Sequence, residues 1–254
     1  MIYITGDCHR DFQRFNTGSF PQQKEMTKVD YVIICGDFGG VWDAGMESAE
    51  EKYLLDWLEN KNYMTLFVDG NHDNFDRLYS YPVEKWHGGK VHVIRPSVLH
   101  LMRGQVFVID GRRFFTFGGA ECHDIKDGIL EPDDPNLKRK IKWMRLMGKY
   151  FRVNHISWWE RELPTEEEME EGRRNLAEAG NKVDYIVTHC CSSSTQKALI
   201  GNSDVYKDNC LTRYLEEIKQ KTKYKKWFFG HYHMNLAVGS KEQLLYKQIQ
   251  RVIF

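Results

Sequence analysis

The chain lacks an excess of charge of either sign: 36 Lys and Arg balance 36 Asp and Glu over 254 residues. With a sequence pI near 7.1, nothing global attracts it to nucleic acid or to an anionic membrane, and no motif specifies a protein partner. No apolar run approaches the ~20 residues that span a bilayer. The opening Met-Ile-Tyr-Ile-Thr-Gly-Asp has neither the charged segment nor the apolar core of a secretory signal. The cysteines at 8, 35, 122, 190, 191 and 210 follow no disulfide or zinc-finger spacing, and the adjacent Cys190 and Cys191 cannot easily pair with each other. Several sit inside apolar strands, where a free thiol behaves as a small hydrophobe, so they read as reduced thiols of a cytoplasmic protein. Internal repeats and low-complexity linkers are also missing. What is there is an ordinary globular composition, 41% hydrophobic and 28% charged, long enough to bury a full core in a single α/β domain over 1–254.

Short apolar runs recur, and several end in the same kinds of residue. Residues 1–5 run into Gly6-Asp7, 31–35 into Gly36-Asp37, and 65–68 into Asp69-Gly70-Asn71-His72. Residues 185–188 run into His189, and 227–229 into Gly230-His231. Continuous Val, Ile and Phe runs of this length predict strands buried on both faces. Open α/β sheets place ligands beyond the carboxyl ends of such strands. Helices are expected at 48–61, with Tyr53, Leu54, Trp57 and Leu58 on one face, at 165–179 behind a Thr165–Glu168 capping box, and at 210–220. Between Leu99 and Gly119 the alternation broken by Arg103-Gly104 and Asp110-Gly111 reads as hairpins, and 244–254 as strand. The picture is two β-layers with helices outside.

Taken singly, the polar motifs are weak. Asp7-Cys8-His9 could be a surface turn, Asp37 an N-cap, and His189 a satisfied core histidine. Gly70-Asn71-His72-Asp73 and Gly230-His231-Tyr232-His233 are better: glycine permits the sharp turn, and an extended segment sends His231 and His233 to one side. Their conjunction carries the argument. Aspartate, histidine and asparagine donors recur in one order, each after a buried-strand pattern, and they exceed what one ion needs. Carboxylate and imidazole donors suit zinc, manganese or iron. Two such ions about 3.5–4 Å apart can generate hydroxide near neutral pH and neutralise a transferring phosphoryl group.

Asp7-x-His9, Gly36-Asp37, Gly70-Asn71-His72-Asp73, Thr188-His189 and Gly230-His231-x-His233 resemble the five blocks of the calcineurin-like metallophosphoesterases, over nearly the whole chain. The resemblance implies a four-layer α/β/β/α sandwich of the metallophosphoesterase type. It implies two divalent metal ions (Mn, Fe or Zn), the first held by Asp7, His9, Asp37 and His233, the second by Asp37, Asn71, His189 and His231, with Asp37 bridging. It implies in-line attack of a bridging hydroxide on a phosphomonoester, phosphodiester or nucleotide. His72 would contact the phosphate or protonate the leaving oxygen, and Asp73 would orient His72 or its loop. Alternatives are a non-catalytic scaffold that kept the fold, or a nuclease subunit. The arginines that protein Ser/Thr phosphatases carry in the second block and before the Asn-His pair are absent here, which argues against a phosphoprotein substrate.

A second, looser resemblance, to a bacterial and phage subgroup, covers Phe117-Gly118-Gly119-Ala120, Asp124, Arg152 and Ile156-Ser157-Trp158-Trp159-Glu160. The least regular stretch, about 121–164, is expected to be an inserted flap. It would bring Asp124, Arg152 and His155, with His123, to the substrate beside Asn71 and His72. Its part 136–153 holds seven basic residues and no acidic one. That run reads either as a solvated helix face or as a cover over an anionic substrate. Trp158-Trp159 reads as core or as a stacking platform.

Overall fold

The computed structural model describes residues 1–201 and 205–253. The five expected strands form: β1 Ile2–Thr5, β2 Tyr31–Ile34, β3 Met64–Phe67, and, later in the chain, Tyr185–Thr188 and Lys226–Phe229. Between them come β4 Val83–Trp86, β5 Gly89–Arg95, β6 Val98–Leu101, β7 Gln105–Ile109, β8 Arg112–Phe117, β9 Ile129–Leu130 and β10 Arg152–Val153. That makes Tyr185–Thr188 β11 and Lys226–Phe229 β12; β13 Leu236–Val238, β14 Glu242–Leu244 and β15 Ile249–Arg251 follow. The helices are α1 Ala49–Glu59, α2 Phe75–Leu78, α3 Leu137–Leu146, α4 Glu166–Glu178, α5 Ser193–Ile200 and α6 Cys210–Lys221.

Among the described residues the strands build a seven-stranded sheet, ordered β15-β1-β2-β3-β6-β5-β4, a six-stranded one, ordered β13-β14-β12-β11-β8-β7, and a small parallel pair of β9 and β10. The middle of each is parallel: β1, β2, β3 and β6 in the first, β8, β11, β12 and β14 in the second. Three apolar clusters define the layers. One, with Ile4, Ile33, Leu66, Phe107, Phe114, Val187 and Phe228, lies between the sheets. A second packs Phe15, Leu55 and Leu58 on the outer face of the first sheet, beside Ile34 and Phe67. The third packs Met169 and Leu176 of α4 and Leu211 and Leu215 of α6 on the outer face of the second, beside Ile186 and Phe229. The result is the expected α/β/β/α sandwich. Parallel strands covered on both faces explain why they read as unbroken apolar runs.

The expected cap is present, and Ser48 supplies a second. Ser48 accepts from the Glu51 N–H at 3.2 Å, and Thr165 and Glu168 form the reciprocal box. The buried face of α1 differs from expectation. Leu55 and Leu58 point inward with Glu51, while Tyr53 is 68% exposed. Glu51, at i−4 and i−7 from those leucines, is ion-paired to Arg77 at 2.5 Å, and this buried pair turns the helix about its axis.

The stretch after Leu99 is also different. Asp110-Gly111 does turn a hairpin between β7 and β8, both residues having positive φ. Arg103-Gly104 does not: β6 pairs with β3 and β5 in the first sheet and β7 belongs to the second, so this turn crosses between layers. The end of the chain is two short strands in different sheets rather than one, and Phe254 lies outside the described residues. The cysteines are free, and all but Cys210 are buried. No helix among the described residues is long and apolar enough to cross a membrane.

Candidate metal centre

The five expected motifs converge at one end of the sandwich. Asp7 follows β1, Asp37 β2, Asn71 β3, His189 β11 and His231 β12, so both sheets contribute from the carboxyl ends of central parallel strands. This convergence needs unusual backbone. His9, Asp37, His231 and His233 have φ between 46° and 70°, a region that strains an L-residue unless its surroundings hold it. It also needs glycine: a Cβ on Gly70 would lie 2.0 Å from Asp37 Oδ1, and one on Gly36 2.2 Å from the His189 ring.

Asp7, His9, Asp37 and His233 place one donor atom each within 4.8 Å of one another. His9 Nε2 and His233 Nε2 face each other at 2.9 Å. His9 Nε2 lies 3.6 Å from Asp37 Oδ2, and His233 Nε2 3.2 Å from Asp7 Oδ2. On the other side of the same carboxylate, His189 Nε2 lies 3.4 Å from Asp37 Oδ1 and 3.3 Å from Asn71 Oδ1. His189 Nδ1–H donates to the Cys35 carbonyl at 2.8 Å, which leaves Nε2 as the inward-facing donor. His231 joins this second set through its ring, 5.0 Å from that of His189 between centroids.

Backbone groups complete the frame. The His72 N–H donates to Asp37 Oδ1 at 2.8 Å, and the His231 N–H to Asp7 Oδ1 at 3.0 Å. Asp73 does not touch the donors. It accepts from Gly39 N–H and Gly70 N–H, at 2.8 and 2.9 Å, and so ties the second block to the third.

The electrostatics fit a cation. Burial favours the neutral form of Asp37, yet His189, His72 and His9 hold its carboxyl well below the usual range. Burial lowers His189, but the charge and hydrogen bond of Asp37, with Asp7, reverse this and carry it up to about 10. A proton held so tightly among buried carboxylates marks where a divalent ion would satisfy the same oxygens. Burial keeps His231 and His9 below the ordinary histidine range, the neutral form in which imidazole coordinates, and lowers His72 as well. Burial and then the charge of Asp37 push Asp73 up to about 8.

The 121–164 stretch reaches the centre at one place. Arg152 is ion-paired to Asp124, and its charge is among those that lower His72. His123 Nε2 lies 3.8 Å from Asp124, and its ring is 6.0 Å from that of His231. His155 is more than half exposed and bound to Asp76 at 2.9 Å, where Trp159 Nε1–H also donates at 2.8 Å. Trp159 is core and Trp158 half-buried. Five of the seven basic residues of the 136–153 run lie on α3, where they are exposed and only Met144 is buried.

Three features were not expected from sequence. Arg14 donates to the carbonyls of Asp7, at 2.6 Å, and Gly6, at 3.2 Å, pinning the first loop. Asp69 is buried between His100, at 2.9 Å, and Arg103, at 2.5 Å. Glu162, 2% exposed, has one carboxyl oxygen with no partner. Apolar-run patterns do not give these roles, because each depends on partners distant in sequence or on the fold that buries it.

A two-sheet sandwich with oxygen and imidazole donors at its strand ends is the class of fold and site built for binding divalent metal ions. The chain belongs to the calcineurin-like phosphoesterase family, whose model matches residues 1–235. It is 26% identical over 159 residues to a lariat debranching enzyme of Danio rerio, covering 57% of this chain and 27% of that protein. It is 27% identical over 143 residues to lariat debranching enzyme A of Xenopus laevis, covering 51% and 26%. The chain thus spans about a quarter of the length of these curated relatives. A solved phosphopantetheinyl hydrolase from Mycobacterium tuberculosis, 12% identical, aligns over 97% of this chain and 89% of its own at a TM-score of 0.46.

Proposed function

We propose that this chain hydrolyses a phosphomonoester, phosphodiester or nucleotide with two divalent ions, and that residues 1–254 form one catalytic domain with an insertion at about 121–164. The observation that carries the reading is Asp37. Its Oδ2 faces His9 and its Oδ1 faces His189, so one carboxylate stands between two donor sets. Asp7, His9 and His233 would hold one ion with Asp37; Asn71, His189 and His231 would hold the other. When bound, the ions lower the pKa of water and neutralise charge on the phosphoryl oxygens.

The chain's own groups do the rest. Gly36 and Gly70 let the donors approach, and Arg14 fixes the first loop. His72, anchored through its N–H to Asp37, presents a ring from which the phosphate or leaving oxygen can take a hydrogen bond. Arg152 offers a guanidinium that can leave Asp124 for two phosphate oxygens. The intact donor set, and the likeness to proteins named as enzymes, support catalysis over a scaffold role.

The test is hydrolysis of p-nitrophenyl phosphate and bis-p-nitrophenyl phosphate with manganese added. Activity on either is expected, and their ratio separates monoesterase from diesterase. Inactivity on both under saturating manganese would return the scaffold reading.

A further inference from the structure

Beside the metal centre lies a cleft of about 220 Å³ lined by His9, Arg10, Gly39, Trp42 and His72. Whole small-molecule ligands usually occupy about 300–1,000 Å³, so this cleft suits a fragment of a substrate. Two of its walls are groups of the proposed reaction, His9 and His72. A group that leaves phosphorus next to His72 can extend into the rest of the cleft, lined by Arg10, Gly39 and the indole of Trp42, whose ring centroid is 6.4 Å from that of His72.

Trp42 is held rigidly for a residue in a loop. Its N–H donates to the fully buried Glu51 at 3.3 Å, and its carbonyl accepts from Asn74 at 3.1 Å. Its indole meets Trp159 edge-on, centroids 5.7 Å apart, and Trp159 is itself fastened to Asp76. Such an immobilised, half-buried ring has little conformational freedom left to lose on stacking. Charge decides which occupant it suits. Arg10, the one arginine or lysine in the lining, is committed to Asp43 through two bonds of 3.0 and 3.3 Å, with Glu50 3.6 Å away. Its charge is compensated, so the cleft does not call for a second phosphate. A flat, uncharged ring fits both the indole and the neutralised guanidinium, which can each stack on a π-face.

We propose that this cleft is the leaving-group subsite and that it takes a nucleobase-type aromatic ring stacked on Trp42. The inference rests on the phosphoesterase reading above and narrows its substrate to esters of nucleosides.

The test compares two substrates with the same primary alkoxide leaving group, adenosine 5′-phosphate and ribose 5-phosphate, on the manganese-loaded enzyme. Their methyl diesters replace them if monoesters are not cleaved, with release of adenosine or ribose measured. Stacking on one aromatic side chain is worth roughly 5- to 150-fold. The kcat/KM ratio of base-bearing to base-free substrate should therefore be about tenfold or more. Trp42→Ala should bring that ratio toward one, and Trp42→Phe should keep most of it, which separates lost stacking from a damaged loop. Equal kcat/KM for the two substrates, or a ratio unmoved by Trp42→Ala, overturns the proposal. If p-nitrophenyl phosphate and its diester are not hydrolysed either, the catalytic reading fails. Calorimetric binding of adenosine, but not ribose, to the manganese-loaded protein, and its loss in Trp42→Ala, then decides the cleft alone.

Discussion

Replacing Glu162 with Gln should make the protein more stable at alkaline pH, and the effect should grow with pH. Glu162 is almost completely buried, and its carboxyl accepts the Trp159 N–H at 3.3 Å. Burial, and after it the negative charge of Asp37, push its carboxyl from 4.5 up to about 9, against the pull of the Trp159 N–H, Arg152 and the Cys122 N–H. Between those two values the folded protein keeps this proton and the unfolded chain releases it. The folded state then binds one proton more, so stability falls as pH rises, by about 1.4 kcal/mol per pH unit from this group. Gln imitates the protonated acid but cannot ionise. It too leaves one terminal atom without a partner, a cost that does not vary with pH. From pH 6 to pH 8 the difference in unfolding free energy, variant minus wild type, should grow by about 3 kcal/mol. For a domain of this size that is roughly 6–12 °C in Tm. The assay is urea or thermal denaturation of both proteins at pH 6, 7 and 8 in one metal buffer, so that proton linkage at the metal centre is common to both and cancels. A difference that stays constant across this range would refute the assignment of a buried neutral acid.

Three further outcomes are expected. Asp37→Asn should lower the content of both ions and cost activity by several orders of magnitude; elemental analysis showing wild-type metal content alongside wild-type turnover would contradict a shared carboxylate. His72→Ala should keep metal content and lose about 10²- to 10⁴-fold in turnover, with a smaller loss for p-nitrophenolate than for an alkoxide leaving group; equal losses would count against proton donation. Arg103→Met should destabilise by about 3–5 kcal/mol, because it strips the buried Asp69 carboxylate of its guanidinium partner; a denaturation midpoint within error of wild type would show that His100 suffices.

The donors could be read from sequence because each depends on local pattern. A strand buried on both faces must be apolar throughout, and the loop that follows is where polarity resumes. Asp7, Asp37, Asn71, His189 and His231 are therefore conspicuous against Ile, Val and Phe. Strand order was less legible. Arg103-Gly104 has the look of a hairpin turn, but Arg103 is needed by Asp69, 34 residues earlier, and the chain changes sheets there. Tyr53 was misplaced for a similar reason: hydrophobicity alone assigns the inner face of α1, whereas an ion pair with Arg77 draws Glu51 inward.

The supporting groups are harder to see because their partners are distant and share no period. Glu162 stands among the acidic residues of 160–171 with nothing in the sequence to mark it; only the meeting of that segment with the loop at Cys122 makes it a buried acid. Trp42 and His72 are thirty residues apart and come together because Glu51 and Asn74 fix the Trp42 backbone between them. The same physics explains the positive φ at His9, Asp37, His231 and His233. Directing imidazoles and a carboxylate from two sheets to one point requires backbone that no local preference supplies. Hydrogen bonds hold it: Arg14 donates to the first loop, the Gly39 N–H to Asp73, and the His231 N–H to Asp7. The chemistry of this site is thus encoded at the strand ends, and its geometry in scattered charged residues that become neighbours only in the folded chain.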